Sequence, residues 1–416
     1  MAQAEPRRRI SFWKGVGLLS IALLLAWSIA ALAVHYVAER RWAAMKADWQ
    51  ALLQEVRSRG QSRPPLHGEA IDGNAWDDYA TALAEVRSLY DLESQAAPRY
   101  LKEAPQSNRK LVERVLARHP SMIESVRRAA LRRQANLSLD WKEGALALPS
   151  RHGSATVAPL AVCRARFFAE EGRFADAAEL LSETCRFAAD VDHVEDLELP
   201  LEELREMLRS RTLQGDDLSR LDRELELLDR EYPRRGHRAA LELVALGAQF
   251  LRTGRSITVQ LVGLRADPED ALWRYGFSAH LMKAEAFATI AAAVKQLQEA
   301  DERPWAESRN LLRKLSAELA SHPNPIIQTA PEEVLASDIL HRGHRAQLRL
   351  LRLAAHFQAT GEVLDLDDPF GGKLNRNLAN DTLKAWSVGP EGMDHGGIGS
   401  YHFDPEVKDI VLEVRR

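Results

Sequence analysis

The stretch from Gly15 to Val37 reads GVGLLSIALLLAWSIAALAVHYV and carries no charged side chain over twenty-three residues. At about 1.5 Å per residue, a helix of this length crosses a hydrocarbon core of about 30 Å. Trp13 and Tyr36 lie at its two ends, where interfacial aromatic side chains are common. The sequence therefore predicts a single transmembrane helix over residues 15–37.

Basic residues on both sides of this apolar run bear on its orientation. They are Arg7, Arg8, Arg9 and Lys14 before the run, and Arg40, Arg41 and Lys46 after it. The slight excess before the run favours a cytoplasmic N-terminus, residues 1–14, and an extracytoplasmic, periplasmic body. A cleaved signal peptide with Ala31-Leu32-Ala33 as its cleavage site is the alternative, but such a peptide has an apolar region of only about 7–15 residues. The length of the run favours an uncleaved anchor, and the body is exported on either interpretation.

The composition of the chain is that of an ordinary globular protein, with 45% hydrophobic and 28% charged residues among 416. A net charge of −4 gives no reason to expect a nucleic-acid partner. Cys163 and Cys185 lack the closely spaced pairs of a zinc site. In a periplasmic body they can form a disulfide, and otherwise they pack as two buried thiols.

The residues after the membrane segment continue as a helical stalk, residues 38–60. Apolar side chains recur there at alternating spacings of three and four, as Trp42, Met45, Trp49, Leu52 and Val56. Such a heptad-like stripe either pairs with a second copy, giving a homodimer, or packs against the body. Prolines and glycines then predict a linker over residues 61–73.

A helical body is predicted over residues 74–361. Asn74 is a candidate N-cap for its first helix, residues 138–157 have the composition of a loop, and the last helix is expected from Pro331 to Thr360. No alternation typical of strands occurs before Gly361. The predicted fold class is therefore mainly α.

An internal repeat indicates how the helices of this body are arranged. Residues 235–254 read RGHRAALELVALGAQFLRTG, and residues 342–361 read RGHRAQLRLLRLAAHFQATG. A third segment, Ala161 to Gly172, shares the order of a small residue, a phenylalanine and a glycine. The small residue permits close helix packing, and the glycine ends the helix in a left-handed conformation.

This pattern resembles the first helix of a tetratricopeptide repeat, and Ala161 to Asp190 resembles the whole two-helix unit. The residues after Gly254 and Gly361 do not continue as a second helix of that kind. The resemblance implies an irregular array of helical hairpins that bury a shared core.

The last part of the chain, residues 362–416, is predicted to be a small antiparallel β module. Asp368-Pro369-Phe370-Gly371 precedes a strand near Leu374, Asn380-Asp381 suits a turn, and Thr382–Val388 and Asp409–Val414 have strand patterns. A glycine-rich loop, Ser387 to Gly397, lies between the last two strands.

The order of these motifs resembles the C-terminal sheet of major pseudopilins from type II secretion. That resemblance implies calcium near Asp394 and Asp409, with Asp404 as a third carboxylate. Few carboxylates are present for an ion that takes six to eight oxygens, so the alternative is a structural loop in which Asp394 accepts backbone N–H groups.

The membrane helix lacks the processed glycine and Phe-Thr-Leu-Ile-Glu start of a pilin subunit. The chain also looks like a loose group of bacterial envelope proteins with a membrane helix, a helical body and this tail.

No catalytic constellation is evident from the sequence, which has neither a phosphate-binding loop nor a His-Glu-x-x-His motif. Asp338, His341 and His344 share one helix face and could in principle bind a metal, although a structural role is favoured.

We therefore expect a membrane-anchored interaction or scaffold protein of the envelope that binds a protein partner, near a secretion or pilus-like machine by analogy. The alternatives are an exported enzyme with a site assembled from distant residues, and a structural protein that dimerises through its stalk.

Overall fold

A computed structural model of the protein describes residues 12–59, 62–103, 106–135, 151–191, 194–232, 259–261, 264–266, 279–323, 331–403 and 408–416. The chain is mostly helical, with an apolar helix near the N-terminus and a four-stranded sheet at the C-terminus. These features confirm the mainly α fold class and the small C-terminal β module.

Helix α1 runs without interruption from Phe12 to Arg59. Its segment Gly15–Val37 is long and apolar enough to cross a membrane, and none of its most apolar window is buried against the rest of the protein. Leucines such as Leu18 and Leu32 are exposed along it. The stalk is helical to Arg59, as predicted, whereas the side chains of its Trp42–Val56 stripe lie outside the described residues.

The segment after the stalk differs from the predicted linker, since it lies along the body as a strap, which we define as residues 62–74. Leu66 is buried, and its N–H donates to Ala130 O at 3.1 Å. Arg63 donates to Asp190 at 2.6 Å. Glycine and proline there suit an extended path, and the intervening side chains attach that path to the helices.

The strap ends in strand β1 (Ile71–Asn74), which pairs in parallel with β2 (Arg132–Gln134). Asn74 caps the next helix, because its side chain accepts the N–H of Trp76 at 3.3 Å, as predicted. The helices between the two strands are α2 (Ala75–Val86), α3 (Asp91–Ser94), α4 (Ala96–Glu103), α5 (Gln106–Arg118) and α6 (Pro120–Ala130).

A helical hairpin follows, formed by α7 (Arg151–Glu170) and α8 (Phe174–Val191). The first seven residues of α7 lie within the predicted loop 138–157, and Pro159 is accommodated within the helix. The turn between the two helices contains Gly172 at φ +78°, a left-handed conformation that glycine adopts without steric cost. Helices α9 (Val194–Arg209) and α10 (Asp216–Glu231) continue the body.

The second half of the body contains a short antiparallel pair, β3 (Val259–Leu261) and β4 (Leu264–Ala266). These strands and the β1–β2 pair were not predicted before Gly361, because three or four residues are too few for a periodic signal. The helices are α11 (Ala279–Glu302), α12 (Trp305–Ala320) and α13 (Pro331–Thr360), the last with the predicted bounds. The repeat copy at 235–254 lies outside the described residues, whereas the copy at 342–361 forms the end of α13 and the glycine after it.

The C-terminal sheet has the order β5-β6-β8-β7. Its strands are β5 (Asn375–Ala379), β6 (Thr382–Ser387), β7 (Gly399–Ser400) and β8 (Asp409–Arg415). β5, β6 and β8 pair antiparallel, and β7 pairs in parallel with β8. Asn380 and Asp381 form the predicted turn, both with positive φ.

One hydrophobic core joins the helices to the sheet. Its buried members include Leu181 of α8, Leu225 of α10 and Leu351 of α13, together with Leu383 and Leu412 of the sheet. A second, smaller core lies among α2 and α4–α8 and contains Tyr79 and Phe187 in edge-to-face contact. The predicted boundary between residues 361 and 362 therefore separates two kinds of secondary structure that pack as one body.

Candidate functional site

A cluster of ionisable side chains lies where the strap crosses α8 and α10. The strap supplies His67, which follows the buried Leu66. Helix α8 supplies Glu179 and Glu183, whose spacing of four puts both carboxylates on one helix face. Helix α10 supplies Glu224. We call these four residues the His67 cluster.

The two ring nitrogens of His67 face different carboxylates. Nε2 lies 3.1 Å from Glu183 Oε1 and 3.5 Å from Glu179 Oε1. Nδ1 lies 3.7 Å from Glu224 Oε1 on the opposite side of the ring. His67 Nδ1 and Glu224 Oε1 are buried, and neither has a hydrogen-bond partner. The imidazole therefore stands between a pair of carboxylates and a single one.

Two arginines also contact the carboxylates of the cluster. Arg127 of α6 donates to Glu179 at 2.5 Å and to Glu183 at 3.2 Å, and Arg220 lies 3.5 Å from Glu179. With a neutral His67 and three ionised carboxylates, the cluster and the two arginines together have a formal charge of −1. A partly buried negative charge of this kind favours a proton or a metal cation.

Burial shapes the acid–base properties of the cluster. The side chains of Glu183 and Glu224 are only 1% and 3% exposed. Burial raises the pKa of Glu224 to about 7, and repulsion from Glu179 and Glu183 adds to the rise. Burial also raises the pKa of Glu183. For His67, burial opposes the charged form, but the hydrogen bond and negative charge of Glu183 outweigh it and raise its pKa.

Of the two predicted calcium positions, Asp394 lies on the glycine-rich loop and Asp409 is the first residue of β8. Asp409 is fully buried, and its carboxylate accepts the N–H groups of Gly397 at 2.9 Å and Ile398 at 3.0 Å. Asp394 is exposed and accepts from Trp386 Nε1 at 2.9 Å and from Gly396 N–H at 2.8 Å. Both carboxylates hold the loop through backbone groups, the role of the structural alternative. Asp404 lies outside the described residues, and calcium there stays a prediction.

A third aspartate, Asp368, explains the Asp-Pro-Phe-Gly motif. Its buried carboxylate accepts from Phe370 N–H at 2.9 Å, from Ser387 Oγ at 2.8 Å and from Val388 N–H at 2.8 Å. These bonds join the start of the module to the end of β6. The motif therefore stabilises the turn and the strand end.

The Asp338, His341 and His344 face does not form a metal site in this structure. Asp338 accepts from Arg342 at 2.9 Å, and His344 is buried near Phe403. Burial lowers the pKa of His344 to about 3, so it packs as a neutral ring. The favoured structural role is consistent with these contacts.

Cys163 and Cys185 are free, buried thiols. They belong to different cores, with Cys163 in the smaller one and Cys185 in the larger one. Burial raises the pKa of Cys163 to about 12, which keeps it protonated and unreactive at neutral pH. Of the two alternatives for this pair, the structure shows the buried thiols.

The His67 cluster was missed by sequence analysis. Its one local signal is the Glu179–Glu183 spacing beside the apolar Leu180 and Leu181, and acidic residues at that spacing are common on solvated helix faces. His67 occurs in a segment whose composition indicated a linker. Comparison with protein-family models, with curated proteins and with solved structures finds no match to the chain.

Proposed function

We propose that this chain is a membrane-anchored protein of the bacterial envelope. Residues 1–14 lie in the cytoplasm, residues 15–37 span the membrane, and the body is extracytoplasmic. The observation that best supports this proposal is the unbroken helix Phe12–Arg59, whose apolar segment is not buried against the body. An uncovered apolar surface of that length is stable in lipid and costly in water.

We further propose that the exported part is a scaffold that binds a protein partner. The α7–α8 hairpin and the helices around it support an irregular hairpin array, and the common core holds the sheet rigidly on that array. The resemblance of the sheet to pseudopilins is the reason to look for the partner in a secretion or pilus-like machine. A homodimer through the stalk stripe remains a further proposal.

The loop of residues 389–398 supports a contact role for the sheet. Met393 is 56% exposed and Ile398 is 67% exposed, although both are apolar. Asp394 accepts the N–H of Gly396 and Asp409 accepts the N–H of Ile398, and these bonds hold the loop backbone after Met393. A pre-ordered loop loses little conformational entropy on binding, which favours its use as a contact surface.

The proposal is tested in cells that make the full-length chain. A photo-crosslinking amino acid in place of Met393 is expected to give a discrete product with an envelope protein. The same substitution at Leu92, which is 67% exposed on α3 and distant in sequence, is the control. The body should be cleaved by protease added to spheroplasts, and α1 should require detergent for extraction.

Two results would contradict this proposal. Recovery of the intact chain in the cytosol without detergent would remove the membrane anchor. The same product at the same yield from positions 393 and 92 would remove the loop as the contact surface.

An exported enzyme is the second candidate function. The observation that favours it is the His67 cluster, where a carboxyl with a pKa near neutrality lies close to an imidazole. Loss of a measurable hydrolytic or transfer activity in a His67→Gln variant would support this alternative.

A further inference from the structure

Around His67 Nε2, the ligand atoms of the His67 cluster have the spacing of a metal site. The ligand-type atoms of His67, Glu179 and Glu183 all lie within 4.8 Å of one another. In a tetrahedral site with metal–ligand bonds of about 2.0–2.2 Å, neighbouring ligand atoms are about 3.3–3.6 Å apart. The separations of 3.1 Å and 3.5 Å from His67 Nε2 to the two carboxylates fit a shared ion after small side-chain shifts.

The other ring nitrogen, Nδ1, gives an independent indication of a metal site. Glu224 is almost fully buried, and its Oε1 is directed at His67 Nδ1 without a hydrogen bond to any group. A carboxylate behind a metal-bound histidine accepts the Nδ1 proton and keeps Nε2 available as the ligand. A buried, unpartnered carboxylate oxygen in that position is costly unless the histidine is held in that tautomer.

The flanking arginines are compatible with such a site. Arg127 donates to Glu179 Oε1, the same oxygen that lies 3.5 Å from His67 Nε2, and Arg220 lies 3.5 Å from Glu179 Oε2. A carboxylate oxygen has two lone pairs, so Glu179 Oε1 can accept from Arg127 and still bind an ion. Ligating carboxylates are commonly held by outer hydrogen bonds of this type.

We propose that His67, Glu179 and Glu183 bind a divalent transition-metal ion of the zinc class, with Glu224 as the positioning residue for His67. Imidazole and carboxylate ligands together suit zinc and similar ions. Three protein ligands leave one position for water. Because His67 belongs to the strap that follows the membrane helix, the ion would also attach that strap to α8.

The test uses the full-length protein in detergent, stripped with a chelator and titrated with Zn²⁺ by calorimetry and by thermal unfolding. We expect one ion per chain and a higher melting temperature on Zn²⁺ addition. His67→Gln and Glu179→Gln should abolish the binding. Glu224→Gln should retain all three ligands but weaken affinity by about 10- to 100-fold.

His119→Gln is the matched control. His119 is 11% exposed, close to the 15% of His67, and it also pairs with one glutamate, Glu85, at 2.6 Å. This variant should bind Zn²⁺ like the unsubstituted protein. Co²⁺ in place of Zn²⁺ should give a visible absorption spectrum that His67→Gln removes, a signal that a loss of stability alone would not produce.

Two outcomes would overturn the proposal. The first is a protein whose melting temperature and calorimetric trace are unchanged by Zn²⁺, which would mean that a protonated His67 closes the cluster. The second is Zn²⁺ binding of equal affinity in the His67→Gln and His119→Gln variants, which would locate the ion elsewhere.

Discussion

At the scale of single residues, Glu224 shows how burial changes chemistry. Glu226 on the same helix is 52% exposed, whereas Glu224 is 3% exposed and lies 3.7 Å from His67 of the strap. The carboxyl then holds its proton at a higher pH than it does in the unfolded chain. A glutamate on this helix is therefore a solvated charge if its side chain points to water, and a buried acid if its side chain points into the body.

This difference predicts a pH-dependent stability. Between about pH 4.5 and about pH 7 the native state binds more protons than the unfolded state at Glu224, so stability falls as pH rises. Glu183 and His67, whose pKa values are also raised, contribute with the same sign. In Glu224→Gln we expect the slope of unfolding free energy against pH to become less negative, by up to about 1.4 kcal/mol per pH unit.

The measurement is urea unfolding in detergent and chelator from pH 4.5 to pH 8. Glu226→Gln is the control, because Glu226 lies on the same helix with a side chain that is 52% exposed. Equal slopes for Glu224→Gln and the unsubstituted protein would show that Glu224 is not a buried acid.

At the scale of elements, the contact between α13 and the sheet module depends on the absence of a side chain. A Cβ at Gly343 would lie 2.5 Å from the ring of Phe403. Glycine inside a helix normally weakens it by about 1 kcal/mol relative to alanine. Here glycine is required despite its lower helix propensity, because any larger residue would collide with Phe403.

We therefore expect Gly343→Ala to lower stability despite its higher helix propensity. Overpacking against Phe403 typically costs about 1–3 kcal/mol, which exceeds the gain in propensity. Phe403→Leu in the same chain should recover part of the loss. The measurement is a double-mutant cycle by chemical unfolding, and additive effects of the two substitutions would contradict the contact.

At the scale of the whole molecule, the helical body and the sheet behave as one packing unit. Trp305 of α12 donates to Pro390 O at 3.0 Å and lies edge-to-face on Phe370 at 5.5 Å. Gln347 of α13 donates to Tyr401 O at 2.7 Å. The module is therefore held by buried aromatic contacts and by hydrogen bonds to its backbone.

This packing predicts that the sheet and α13 unfold together. Trp305→Ala should cost about 3–5 kcal/mol and lower the hydrogen-exchange protection of β6 and of α13 by a similar factor. Leu378→Ala, at a side chain that is 53% exposed on β5, is the control and should leave both unchanged. Loss of protection in β6 alone would show that the module is an independent domain.

Local signals allowed several elements to be predicted from the sequence. The apolar run 15–37, the bounds of Pro331–Thr360 and the Asn380-Asp381 turn each depend on composition or on conformations of neighbouring residues. The groups that Asp394 and Asp409 bond, by contrast, depended on the folded backbone.

The amino-acid sequence alone specified an apolar helix, a helical body and a small sheet, because hydrophobic period and turn chemistry act over a few neighbouring residues. The path of the strap and the meeting of His67 with Glu179, Glu183 and Glu224 came from tertiary packing. The three glutamates lie more than a hundred positions after His67 in the sequence. A charged residue shows no local sign of whether its helix face will be covered, since burial depends on which distant segment packs against it.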